Sequence, residues 1–363
     1  MTAPSVRILD TDFNLKGEID DYESLQFTRR FYRPGEFELH IALGKQSVDQ
    51  LLLDRVICIN NQPHKSGIIT HTEIMQTDQG VETLMVRGST LGGVFDRRLT
   101  VSDTYDRVRG AAETVMKHYV NNHIVHGIYA ERRIPFFILA PDQGRGKVTP
   151  WQTRYEQLSD VIQEIAEFCD IGWGVSLDFS NKKWVFDVLP GRDLTTAQSA
   201  LPPVIFSHEY DNIQSQQYVD SYIQYKNVGY SGGPVEDEDR LIQIVGNRAS
   251  GLARREVFLD CSSAEDLVEL VELGEQKLSE FKRIQTFNGM ILNTGSFVYE
   301  QDWDLGDRVT LQNLKWGLTM DSRITEIKEI YEPASTLEIA LGNEIPTITK
   351  FVKQLQSNVK RSD

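Results

Sequence analysis

Between Pro135 and Gly233 the chain carries stiff turn words among polar-edged strands, and these constrain its fold more than any other feature. The words are RRIPFFIL at Arg132–Leu139, LPGRDLT at Leu189–Thr195, PPVIFSHEYDNIQS at Pro202–Ser215 and YKNVGYSGG at Tyr225–Gly233. Each reads as strand, tight turn, strand, with Gly or Pro where a special backbone angle is needed. None is a catalytic motif. Distinctive residues spent on turns rather than on a reactive cluster point to a building part, not an enzyme.

Around these words the hydrophobic spacing changes twice. In GEFELHIAL, Phe37, Leu39, Ile41 and Leu43 share one face at period two, and RVICIN, SGIITHTEI and ETLMVRGST follow across polar turns. Such a meander suits a barrel or a sandwich. From Asp103 to Asn121, Val108, Ala112, Val115 and Tyr119 recur at helical spacing, with Ser102 as N-cap. A second helix is predicted from Tyr155 to Cys169 on the stripe Leu158, Val161, Ile162, Ile165 and Phe168. A hairpin then sets Val175, Leu177 and Phe179 against Trp184, Phe186 and Val188.

Strands return at Pro202 and run through Tyr218–Ser231, and the acidic run Glu236–Arg240 is a solvated loop or hairpin tip. SSAEDLVELVELGEQKLSEF reads as a helix capped by Ser262 or Ser263, with Leu267, Val271, Leu278 and Phe281 facing the core. FNGMIL, RVTLQN, SRITEIKEIYE and TLEIALG are further strands, and an amphipathic helix over Thr347–Val359 follows Ile345-Pro346. At 363 residues, two to four domains are expected. The expected fold is α+β and β-rich. A β-barrel-like domain over 1–102 and a second, with an inserted helix, over 206–345 flank an α+β domain over 103–205; a helix over 346–363 ends the chain.

Composition narrows the function classes. Hydrophobic residues at 40% with 25% charged describe an ordinary globular protein with real cores. No run approaches the roughly 18 apolar residues of a membrane helix. The start, MTAPSVRILDTDFN, lacks a secretory signal, so the chain is expected to stay in the cytoplasm unless another route carries it out. Cys58, Cys169 and Cys261 form no CxxC pair and are read as reduced thiols. A formal charge of −15 argues against duplex binding, which needs Lys and Arg on phosphates, yet suits both a soluble protein and a DNA conduit that must not hold its cargo.

Four local patterns invite a chemical reading, and each has a plainer one. GYSGG at Gly229–Gly233 matches a nucleophile elbow around Ser231, but Pro234 and an acidic run follow where the elbow needs a helix, so it is read as a turn. GRGK at Gly144–Lys147 lacks the first glycine and the Ser or Thr of a P-loop, and is read as a polar loop. His118, His123 and His126 fit no zinc spacing. Asp302, Asp304 and Asp307 resemble a calcium loop, yet Asp307 stands where such a loop has glycine; an acidic turn is the reading. No cofactor and no metal is expected.

GRD after a strand, then VIFS with its Glu and Asn, then YKN with GG, and finally YEQDWDLGDRVTL at Tyr299–Leu311 follow one another in an order that resembles the tail-associated hub proteins of siphoviruses. The resemblance spans about Tyr22 to Glu332. Its signature turn residues are Gly191, Arg192, Asp193, Asn212, Asn227, Gly232, Gly233, Gly306 and Asp307. It implies a structural, non-enzymatic homotrimer at the virion tail tip, assembled in the host cytoplasm, that closes the tail tube and opens for genome passage. Its implied partners are further copies of itself, the distal tail protein, the tape-measure protein and a receptor-binding or fibre protein. No sequence-specific nucleic-acid binding and no membrane insertion are expected. The alternative is a carbohydrate-active β protein, either a glycan-binding module or a cell-wall hydrolase, with Trp151, Trp173, Trp184, Trp303 and Trp316 as sugar-stacking faces; core packing accounts better for Trp173 and Trp184.

Overall fold

The computed structural model describes residues 4–342 apart from 77, 236–237, 293–295 and 333–334. The helix expected over Thr347–Val359 therefore lies outside the described residues. The chain divides into two compact units, one of Met1–Ser215 with Gly289–Ile339, the other of Gln216–Asn288 with Ala340–Asp363.

The first unit opens with seven strands: β1 (Val6–Leu9), β2 (Leu15–Ile19), β3 (Ser24–Arg30), β4 (Glu36–Ala42), β5 (Val56–Ile59), β6 (Ser66–Gln76) and β7 (Glu82–Thr90). They lie side by side in the order β3-β4-β7-β6-β5-β1-β2. The period-two reading of β4 holds: Phe37, Leu39 and Ile41 are buried, and Phe37 and Leu39 sit opposite Phe27 and Leu25 of β3. Cross-strand pairs of this kind fix the register, because a slip by one residue would turn every apolar side chain to solvent.

The helix expected from Asp103 begins only at α1 (Ala112–Val120), and Ser102 does not cap it. Before it, β8 (Asp106–Ala111) pairs antiparallel with β10 (Val148–Thr153), which follows β9 (Phe137–Leu139), and Val108 sits opposite Trp151. Arg107, Val108 and Arg109 alternate at the strand period as well as fitting the helical one, and the partner strand decides. The second helix, α2 (Leu158–Cys169), buries Leu158, Val161, Ile162 and Ile165 as predicted. The hairpin of β11 (Gly172–Asp178) and β12 (Lys183–Leu189) sets Trp173, Val175 and Leu177 opposite Val188, Phe186 and Trp184. Phe179 falls beyond the strand. Phe95 stacks on Trp173 at 5.1 Å in the same core.

Two short strands, β13 (Asp193–Leu194) and β14 (Ile205–Ser207), are followed by β15 (Ile213–Ser221), whose residues from Gln216 onward belong to the second unit. There β16 (Val228–Gly232) lies between β17 (Ile242–Gly246) and β18 (Glu256–Asp260). α3 (Leu267–Leu278) covers one face of this sheet, and β19 (Ile284–Ile291) follows. The cap of α3 is Asp266, whose side chain accepts the Glu269 amide at 2.8 Å, not Ser262 or Ser263. Its buried face carries Leu270, Leu273 and Leu278, while Leu267 is half exposed and Val271 about a third exposed, because Gly274 lets the backbone approach Ser231 on the sheet.

The chain then adds β20 (Arg308–Asn313), β21 (Leu318–Tyr331) and β22 (Ser335–Gly342). β21 pairs with β3, and β13 and β14 run parallel to β20. With 44% strand and 17% helix the chain is β-rich, as expected. The barrel closure expected at each end is not seen: among the described residues no sheet returns to pair with its own first strand, and the long sheet of the first unit ends at β2.

Candidate functional site

The first unit brings two distant turn words together. After β12, Pro190-Gly191 reverses the chain with Gly191 at φ 68°, and a Cβ there would lie 1.9 Å from the Gly306 carbonyl oxygen. Gly306, at φ 89°, would itself drive a Cβ to 2.2 Å from the Phe31 ring. Only glycine fits this contact. With the backbones this close, Asp307 accepts the Arg192 amide at 2.8 Å, the Asp304 amide at 2.8 Å, and the Arg192 guanidinium at 3.1 Å from Nε and 2.6 Å from Nη2. Arg308 donates its amide to the Arg192 carbonyl at 2.8 Å, and Asp193 begins the parallel pairing of β13 with β20 opposite Arg308. Asp307 is buried and its fork-like partner is polar-exposed, which is the geometry of a structural clasp rather than of a calcium loop.

Beside the clasp lies a charge cluster that sequence reading missed. Lys65 is buried and donates to Glu329 at 2.9 Å and to Glu300 at 3.0 Å. Tyr299 donates its hydroxyl to Glu329 at 2.8 Å and accepts from Arg29 at 2.7 Å, and Arg29 also pairs with Asp304. Burial opposes the charge on Glu300, but His64 at 2.8 Å, Lys65 and Arg29 outweigh it and hold its carboxyl down to about 2. Burial pushes the Tyr299 phenol well above its ordinary value. A cavity of about 210 Å³ opens beside Lys65, Tyr299, Glu300 and Trp303. The one available signal was Glu329, an acid at an inward position of the β21 alternation after Ile327.

The remaining signature residues brace other corners. Asn212 accepts the Ser207 amide and donates to the Ile205 carbonyl, each at 2.8 Å. In the second unit Asn227 accepts the Arg255 amide and donates to the Ala253 carbonyl, each at 2.9 Å. Gly232 ends β16 where a Cβ would meet Arg240 and Phe258 at 2.6 Å, and Gly233 donates to the Leu241 carbonyl at 2.9 Å.

GYSGG is not a turn: residues through Gly232 lie on β16, and Ser231 is fully buried, donating to the Leu270 carbonyl at 2.8 Å. A hydroxyl tied to a helix carbonyl beneath a sheet reaches no substrate. GRGK lies in a loop before β10, as read, and the loop is tethered: Arg145 is bound to Glu113 through its amide at 2.9 Å and its guanidinium at 2.8 and 2.9 Å. His118 bonds Asp106 at 2.7 Å, while burial lowers His123 to about 4. Among the described residues no group of His, Cys, Asp and Glu could hold a metal ion. Trp151, Trp173, Trp184 and Trp303 are all buried, leaving Trp316 alone with an open face. The sugar-stacking alternative loses four of its five rings.

The fold is shared with solved phage tail proteins. A tail protein from Neisseria meningitidis MC58 matches with TM-score 0.60 at 14% identity, covering 94% of this chain and 97% of that one. The 43 kDa tail protein of prophage MuSo2 from Shewanella oneidensis matches with TM-score 0.60 at 12% identity over 93% and 98%. Prophage tail protein gp18 from Listeria monocytogenes EGD-e matches with TM-score 0.56 at 12% identity over 98% and 99%. No curated protein matches the sequence. The model of the Siphovirus ReqiPepy6 Gp37-like protein family matches residues 5–343, nearly the whole chain, and the protein belongs to that family of siphovirus tail proteins.

Proposed function

We propose that the protein is the hub of a siphovirus tail tip, a structural subunit that closes the tail tube and joins it to the host-recognition apparatus. Family membership across residues 5–343 is the observation that carries the reading. Three copies form a ring; the ring meets the distal tail protein, receives the tape-measure protein, and bears a receptor-binding or fibre protein. It opens or rearranges to let the genome out. Residues 1–102, 103–205 and 206–345 are its building blocks, and 346–363 a docking segment. The clasp of Gly191, Arg192, Asp193, Gly306 and Asp307 and the braces at Asn212, Asn227, Gly232 and Gly233 act as rigid corners that hold ring-facing surfaces in place. The subunit carries load, not chemistry. The −15 balance suits a lumen that does not bind phosphates.

Mass measurement of the purified chain, alone and with its neighbouring tail proteins, tests this, with cryo-microscopy of the assembled tip. A closed three-fold ring with an acidic or neutral passage is expected. A strongly basic channel, or a particle without any central passage, would refute the hub assignment.

A further inference from the structure

The second unit is electrically polar along its three-stranded sheet. β16 and β18 run parallel and β17 opposes them, so one end gathers the start of β16, the end of β17 and the start of β18. That end carries Lys226, Arg248 and Arg255, with Asn227 binding the loop before Arg255 to β16. Arg255 lies over Tyr222 at 4.7 Å and Tyr225 at 5.8 Å, and Arg283 lies over Tyr222 at 4.9 Å. Among the described residues none of Lys226, Arg248 and Arg255 is ion-paired. The opposite end, about 16 Å away along five-residue strands, carries exposed Glu238 and Asp239, equally unpaired among the described residues. Apolar side chains flank both ends: Ile223 (86% exposed) and Leu252 (98% exposed) beside the cations, Val235 and Leu241 beside the acids.

We propose that these two ends are the halves of one contact between copies of this chain, the Arg255 end of each copy receiving the Glu238–Asp239 end of the next. This rests on the ring reading above and names the surface that closes it. A head-to-tail contact joins unlike patches, and such contacts generate rings where the rotation between copies closes. Tyr and Arg are the residues that interface centres favour. A single-stranded nucleic acid fits less well, because bases need open ring faces and the Tyr222 ring is already flanked by two guanidinium groups.

The test is charge exchange in the full chain, read by sedimentation. Arg248→Glu/Arg255→Glu and Glu238→Lys/Asp239→Lys should each weaken self-association about ten-fold or more. The quadruple variant, which restores opposite charges in reversed order, should recover most of it. Self-association of the parent should also weaken as salt rises from about 0.1 to 1 M, where screening shortens from roughly 10 to 3 Å; this arm needs no variant to fold. If both double variants associate like the parent, this contact is wrong and the ring reading stands on another surface. A parent that stays monomeric at low salt, alone and with its tail partners, removes both. Binding of a dT oligonucleotide that is lost in Arg248→Glu/Arg255→Glu while self-association persists would assign the patch to nucleic acid instead.

Discussion

Asp307→Ala should be among the most damaging single changes near the two joined turn words. The carboxylate takes two backbone amides, from Arg192 and Asp304, and both nitrogens of the Arg192 fork. Asp307 is buried but the donor residues Arg192 and Asp304 are at least partly exposed, so each amide left without its acceptor costs about 1 kcal/mol. The ion pair adds about 1 kcal/mol, discounted because Arg192 keeps 44% of its side chain in solvent. The sum is about 3 kcal/mol. Arg192→Ala leaves both amides in place and loses only the fork, so it should cost about 1 kcal/mol. Urea unfolding followed by tryptophan fluorescence reads this region, since Trp303 is fully buried and packs edge-on to Phe206 at 5.2 Å in the same unit. Asp307→Ala costing under about 1 kcal/mol, or Arg192→Ala costing as much as Asp307→Ala, would refute the clasp as the holder of this corner.

Three further outcomes are expected. Gly191→Ala should destabilise by more than about 2 kcal/mol, because a Cβ meets the Gly306 oxygen at 1.9 Å and the backbone is left-handed; a stability within error of the parent would show that the two turns separate easily. Ser231→Ala should cost only about 1 kcal/mol, the worth of its hydrogen bond to Leu270, and change no hydrolytic property; peptidoglycan or ester hydrolysis lost in this variant would overturn the structural reading. Glu300 should make the first unit acid-sensitive. Its folded value near 2 lies below its ordinary 4.5, so its contribution is complete above 4.5 and is lost as pH falls towards 2. Discounted for its partial exposure this is about 1–2 kcal/mol, and Glu300→Gln should flatten that part of the stability–pH curve.

The sequence by itself determined those elements whose pattern is local and has one solution. β4, β7 and β20 match their predicted runs, α2 buries its predicted stripe except for the partly exposed Phe168, and the β11–β12 hairpin places Trp173 and Trp184 in the core. Alternation at period two or a stripe at helical spacing already states which side is buried, whatever lies opposite. Turn chemistry was legible for the same reason: Gly191 and Gly306 announce backbone angles that only glycine adopts easily.

The tertiary structure decided everything that depends on what lies opposite. Residues 106–111 satisfy both periods, and only pairing with β10 makes them a strand. α3 has two apolar stripes, and the close approach at Gly274 chooses between them. GYSGG looks like a turn until its neighbours β17 and β18 pair with it on both sides. Of the charge cluster the sequence showed only Glu329, an acid at an inward position of β21; its partners were out of reach, since Arg29, Lys65 and Glu300 are far apart in sequence and meet it only when β21 lies beside β3. Whether a sheet closes is likewise a property of its last pairing, and strand patterns carry no record of it. Arg192 and Asp307 are 115 residues apart, each conspicuous alone, and folding alone made them partners.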